Sequence, residues 1–434
     1  MLQSRLRLHP QALWLLLVNG IFTLSVALSN TFVNIYLWKV DRSYSSIVWY
    51  NLLIYLTIPV AFIFSGWFAK RRDAVFTLRI GITLHAVFYG LSLIGGTKIA
   101  TLPAVIGAVM GTAAGFYWLS FNMLSFKDSQ SGGRERFYGL NGVIGAMAGM
   151  AAPFLAGYII SAEDRFGGLS GYHIIFTLSL ALFLFAALIS FRLRDQETSG
   201  PLFLGKAFQA WRVRPWRMVL LGCFAYGMRE GVFLFLIGLL MYIATGSELK
   251  LGEFVLLQSG LSTISFFAVS RFVKPRRRLW VLGVGALSML AAALLFLFPI
   301  NARLILIYGS AIALALPLFL IPFQGVVFDG VSALDKTNTI YMEHIIVREV
   351  FENAGRVVGI VAFLGLVSLA PSTANIARFA VALGFVQVIT WILLWRGNSV
   401  PFGFKNKALP SHPSRYAEFE DLATVPIRKR VRDY

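Results

Sequence analysis

Charge is scarce in this chain. Of its 434 residues 14% are charged, against about 25% in an average soluble domain. Acidic residues are scarcer still, 20 Asp and Glu against 39 Lys and Arg, and 57% of the side chains are hydrophobic. Too few charges remain to cover a water-facing surface, which sets aside a soluble enzyme and a disordered chain alike. Cysteine occurs once, at Cys223, so no intrachain disulfide can form. Lying in an apolar run, it reads as a small buried hydrophobe. The five histidines, His9, His85, His173, His344 and His412, have no ligand spacing, so no metal site is expected. No glycine loop precedes a Lys-Ser/Thr pair, which argues against ATP-driven transport within this chain. No cofactor is expected.

What the chain does have is long apolar runs. A helix needs roughly 20 mostly apolar residues to cross a bilayer. Such windows lie near 11–37, 46–69, 74–95, 101–125, 137–160 and 172–191, and again near 218–243, 252–272, 279–298, 303–326, 346–370 and 376–396. The expectation is an all-α integral membrane protein of twelve spans. The first run is too long for the h-region of a signal peptide and reads as a span of its own.

An even number of spans puts both termini on one side. On that side fall 31 of the 39 Lys and Arg; seven fall on the other, and Arg229 falls inside a span. The positive-inside rule makes the 31-residue side cytoplasmic, at the cell (inner) membrane. The net charge of +19 is then a topology signal, and a nucleic-acid partner loses its basis.

The longest internal connection, 192–217, separates two sets of six spans. Its Arg/Trp mixture, with Trp211 and Trp216, suits a segment lying at the inner interface; a partner-binding linker is the alternative. Arg136 and Asn141 at the start of span five match Arg348 and Asn353 at the start of span eleven, at an offset of 212 residues. That register is expected of two related halves. The organisation read from the sequence is therefore 1–191 as a first six-helix bundle, 192–217 as a cytoplasmic linker, 218–396 as a second bundle and 397–434 as a cytoplasmic tail. The tail's basic end, Arg428–Arg432, suits contact with anionic lipid.

Small residues recur at four-residue spacing as Gly107, Gly111 and Gly115 in span four, and as Gly145, Gly149, Pro153 and Gly157 in span five. Such stripes let helix backbones approach closely, either as fixed packing or as a surface on which helices rock. After span two stands Gly66-Trp-Phe-Ala-Lys70-Arg71-Arg72-Asp73. Here the chain resembles the major facilitator superfamily, the twelve-helix secondary transporters, whose loop between helices two and three carries a Gly-x-x-x-Asp-Arg-x-Gly-Arg-Arg motif. Gly66 and the basic cluster match it. Lys70 stands in place of the motif aspartate, and the second glycine is missing. The glycine and proline pattern of span five resembles the motif of the family's antiporter branch. The resemblance implies two six-helix bundles and alternating access, with efflux favoured.

Among residues that could carry chemistry, Arg229 and Glu230 stand out. They lie halfway along an apolar run, where a charge costs at least about 2.5–3.5 kcal/mol. Consecutive residues point about 100° apart on a helix, so each needs its own polar surroundings. The functional reading is a substrate or proton site, with Glu230 titrating and Arg229 tuning it or holding an anion; the alternative is a buried structural ion pair. Tyr226 sits one turn before Glu230. Span one carries a polar stripe with Asn19, Asn30 and Asn34, and further polar positions are Tyr55, Trp118, Asn122 and Gln258. Together they read as cavity lining; singly, each reads as an interhelical hydrogen bond. Span eleven opens on Arg348, Glu349, Glu352, Asn353 and Arg356, a charged turn expected near the inner membrane face. The resemblance implies that these charges pair with Lys70, Arg71 and Arg72 as a cytoplasmic gate.

The reading is a monomer with no enzymatic role: a secondary transporter of a small molecule, coupled to protons by its intramembrane carboxylates. Two rivals stand beside it. One is a lipid flippase on the same fold; the other is a non-transporting membrane receptor or a membrane enzyme.

Overall fold

The computed structural model describes residues 9–128, 134–163, 169–194, 201–273, 277–335, 340–370 and 372–398. The side chain of Arg136 and the tail segment Arg428–Arg432 lie outside the described residues. The described chain is helical, with no strand. Twelve helices are long and apolar enough to cross a membrane, as the composition requires. The first six are α1 (Pro10–Asp41), α2 (Tyr44–Arg71), α3 (Ala74–Gly95), α4 (Pro103–Asp128), α5 (Arg134–Glu163) and α6 (Ser170–Ser190). A short helix α7 (Leu204–Gln209) follows in the linker. The last six are α8 (Arg214–Thr245), α9 (Glu248–Phe272), α10 (Arg278–Ala293), α11 (Ala302–Leu334), α12 (Tyr341–Leu369) and α13 (Thr373–Asn398).

Local chemistry sets the ends. Ser43 and Asp73 cap α2 and α3, Asp73 Oδ1 accepting from Val75 and Phe76 N at 2.6 and 2.8 Å. Ser247 and Asn301 cap α9 and α11 in the same way. Gly246 ends α8 at φ 63°, the left-handed conformation that glycine adopts without a Cβ penalty.

The helix contacts of the first six recur in the last six. In the first, α1 packs on α5 and α6, α2 and α3 on α4, and α3 on α6. In the second, α8 packs on α12 and α13, α9 and α10 on α11, and α10 on α13. Between the two sets, α5 packs on α9 and α12 on α2, and α1 touches α8.

Two sequence expectations change here. Trp216 does not belong to the linker: α8 begins at Arg214, and Trp216 is fully buried in its first turn. The charged turn of span eleven is not the start of its helix either. The helix starts at Tyr341, and the polar Tyr341-Met-Glu-His opening conceals that start from a hydropathy window. Arg356 therefore stands about halfway along α12.

The glycine stripe of α4 is a close contact. A Cβ at Gly107, Gly111 or Gly115 would collide with the backbone or side chains of α2, within the first set of six. The α5 stripe divides: Gly157 abuts the backbone of Glu248 on α9, while Gly145 has open space before it.

Candidate functional site

The site forms where α8 crosses α12. Gly227 and Gly231 on α8 face Gly355 and Gly359 on α12, and a Cβ at any of the four would meet the other helix's backbone. This double small-xxx-small pattern brings the two helix axes close. At that distance the long Arg356 side chain reaches across to α8.

Arg356 donates to Glu230 Oε2 through Nε (2.9 Å) and Nη2 (2.5 Å), a paired contact that fits a guanidinium fork. It also donates to Glu352 Oε1 at 2.6 Å and to Asn353 Oδ1 at 3.0 Å. Glu230 Oε1 accepts from the Tyr226 hydroxyl at 2.8 Å. Arg348 donates to Glu352 Oε2 at 2.9 Å and to Glu349. From α2, the Tyr55 ring lies 5.1 Å from the Arg356 guanidinium. Glu352 and Asn353 are buried, and the Glu230 side chain is 21% exposed. Three carboxylates thus meet two guanidiniums, leaving one carboxylate in surplus. The arrangement can hold a proton, and the part-exposed Glu230 can exchange one with its surroundings.

Arg229 turns away from this cluster. Its Nη2 donates to the Tyr308 hydroxyl of α11 at 3.0 Å, and its guanidinium lies 4.4 Å from the Phe233 ring. The direct Arg229–Glu230 ion pair is absent, as their 100° separation allows.

The remaining candidates divide. Asn19 donates to Asn141 Oδ1 at 2.6 Å and accepts from Tyr117 at 2.7 Å. Asn34 accepts from Asn51 at 2.8 Å. Gln258 donates to Gly309 O at 3.3 Å. These three tie helices together. Asn30, Trp118 and Asn122 are exposed, and Trp118 packs edge-on to Phe22, Tyr117 and Phe121. Asn19 with Asn141 occupies the α1–α5 crossing just as Glu230 with Arg356 occupies the α8–α12 crossing, and Asn19 and Glu230 are 211 residues apart.

The expected pairing of Lys70, Arg71 and Arg72 with Arg348, Glu349, Glu352 and Arg356 is not found; that turn is consumed by Glu230 and by itself. Arg71 stacks on Trp67 and Arg72 on Phe76. Lys70 bonds Glu343 at 2.7 Å and Pro201 O at 3.1 Å. Phe203 N donates to the same Glu343 oxygen at 3.2 Å. Phe62, Leu119, Met342 and Ile346 close a small apolar plug beside it, with Leu202 and Leu204 of the linker against them. At the far end of the bundle, Lys39 on α1 pairs with the buried Glu248 on α9 at 3.0 Å, and Tyr172 of α6 donates to Glu248 at 2.8 Å. Neither Glu343 nor Glu248 is a candidate by sequence alone. The available signal is an acid in the first turn of an otherwise apolar helix. A cavity of about 720 Å³ lies near that far end, lined by Val40, Asp41, Trp49 and Pro103, away from the charged crossing.

Compared with models of known protein families, the chain matches none. It is 38% identical over 373 residues to the uncharacterized protein YqgE of Bacillus subtilis (strain 168), covering 86% of each chain. It is 40% identical over 170 residues to an uncharacterized protein encoded in the sodM 3′ region of Geobacillus stearothermophilus, covering 39% of this chain and 78% of that one. Among solved structures, the nucleoside transporter NupG superposes with a TM-score of 0.65 at 13% identity, covering 92% of this chain and all of that one. A variant of the Escherichia coli fucose:proton symporter FucP superposes with a TM-score of 0.61 at 14% identity, covering 88% and 98%.

Proposed function

The chain belongs to the family of Bacillus subtilis YqgE and has the major facilitator fold, and on that premise we propose that it is a proton-coupled secondary transporter of a small molecule. It works in the cell membrane by alternating access, with the basic end of the bundle cytoplasmic. The observation that carries the reading is the α8–α12 crossing, where Glu230, Glu349 and Glu352 share Arg348 and Arg356. Ionisable groups at membrane depth are costly and are kept for transport or proton relay. A surplus carboxylate among them is a place for one proton. FucP, of the same fold, is a fucose:proton symporter.

The two end clusters supply the alternation. Lys70–Glu343 joins α2 to α12 at the basic end, and Lys39–Glu248 joins α1 to α9 at the far end. The two six-helix sets move as bodies, and breaking one cluster while keeping the other opens one side at a time.

The test is uptake into proteoliposomes under an imposed pH gradient, over a panel of nucleosides, hexoses and organic acids. Glu230→Gln removes the titrating group and keeps the shape. Gradient-driven movement of the transported solute should fall to the level without a gradient. Equal rate and equal pH dependence in both proteins would remove Glu230 as the coupling residue.

A further inference from the structure

We propose that Arg229 binds the carboxylate head of an organic monoanion, and that this anion and one proton bind together, the anion at Arg229 and the proton on the Glu230–Glu352 cluster. The inference rests on the transport reading above and assigns its substrate class.

The first observation is a buried cation without a direct carboxylate partner. Arg229 is 5% exposed. A guanidinium has five donors, yet among the described residues this one meets a single acceptor, the neutral hydroxyl of Tyr308. Its Nε has no acceptor, and among the described residues no carboxylate lies within ion-pair distance of it. Arg348 and Arg356, by contrast, have carboxylate partners in the same membrane interior. A lone buried guanidinium with a free edge is a partner waiting for an anion.

The second observation is the opposite imbalance one residue on. The groups facing Glu230 and Glu352 are Tyr226 and Cys223 on α8, Tyr55 on α2, and Arg348, Glu349 and Arg356 on α12. With all carboxylates ionised, that cluster carries one surplus negative charge and Arg229 one surplus positive charge. In net charge the two surpluses, carried by neighbouring residues of α8, offset each other. An anion arriving at Arg229 cancels its charge and leaves the cluster's surplus uncompensated. A proton on a cluster carboxylate restores neutrality. By linkage, each ligand raises the affinity for the other equally.

The surroundings fix the ligand further. One guanidinium balances one negative charge, which favours a monoanion. The Phe233 and Phe296 rings lie 6.0 and 4.6 Å from the Tyr308 ring, and Phe254 packs beside Gly309. These rings are buried, so a ligand body that reaches Arg229 meets apolar and aromatic neighbours. Joint binding makes the exchange a symport, against the efflux suggested by the fifth-helix glycine pattern.

The experiment uses the purified full chain in detergent, with benzoate and 3-phenylpropionate as probes and their neutral amides as controls. Tryptophan-detected thermal unfolding reads binding, and a pH indicator in weak buffer reads proton uptake. The acids should stabilise the wild type, the amides should not, and about one proton should be taken up per anion bound. Arg229→Gln should weaken the acids at least about thirtyfold. Arg229→Lys keeps the charge if the glutamine variant misfolds, and should retain proton uptake with affinity between the two. The proposal is overturned if no acid stabilises the protein, if acids and amides act alike, if both variants bind as the wild type does, or if binding takes up no proton. Transport that depends on Glu230 but not on Arg229 would remove the anion subsite and leave the transport reading. Transport indifferent to both would remove both.

Discussion

Lys70 Nζ lies 2.7 Å from Glu343 Oε1, across the α2–α12 boundary, with the glutamate side chain wholly shielded from solvent. The lysine occupies the position where the major facilitator motif has an acid, so the charge at this position is reversed.

That reversal makes a charge-swap test possible. Glu343→Gln leaves Lys70 unpaired and should raise the labelling rate of a cysteine at Met342 about tenfold, for a loss of about 1.4 kcal/mol. The Lys70→Glu, Glu343→Lys double variant should return the rate toward the wild type. A double variant that labels like the single would show that the pair does not close this end.

At the far end, Glu248→Gln weakens the Lys39 and Tyr172 contacts together. Labelling of a cysteine introduced at Ser161, whose hydroxyl caps Leu249 N at 3.0 Å, should rise while labelling at Met342 falls. Parallel changes at both ends would argue against reciprocal opening.

The glycine crossing is a steric requirement. Gly355→Val sets an isopropyl group against the Phe224 carbonyl and should cost about 3 kcal/mol, read as a lower unfolding temperature. Gly365→Val on the same helix faces open space and should cost far less. Equal losses would mean that close approach of α8 and α12 is not the cause.

Tyr226→Phe removes the hydroxyl donated to Glu230 at 2.8 Å and keeps its stacking on Phe319 and Phe323. A hydrogen bond to a charged group contributes about 1.5–3 kcal/mol. Its loss favours the protonated form of Glu230, so the pH profile of transport should move upward. A shift to lower pH, or none, would count against Glu230 as the titrating group.

Twelve spans were legible because a bilayer demands long apolar runs and nothing else in the chain competes with them. Arg229 and Glu230 were legible for the same reason, as charges inside such a run. What Glu230 pairs with was not. That depends on how α8 and α12 cross, and the Gly227/Gly231 and Gly355/Gly359 pairs that set the crossing lie 124 residues or more apart in the chain. Glu343 was hidden by a helix start that is polar and therefore looks like loop. Asn19 and Asn34 reveal the converse limit: a polar stripe looks the same in sequence whether it faces a solute path or binds a neighbouring helix.

The only thiol of the chain, Cys223, is fully buried on α8, on the approach to the charged crossing. It needs no engineering to serve as a clock. A maleimide reaches it only when the packing within that six-helix set loosens, so its alkylation half-time in the unmodified protein separates loosening inside the set from movement of one set against the other.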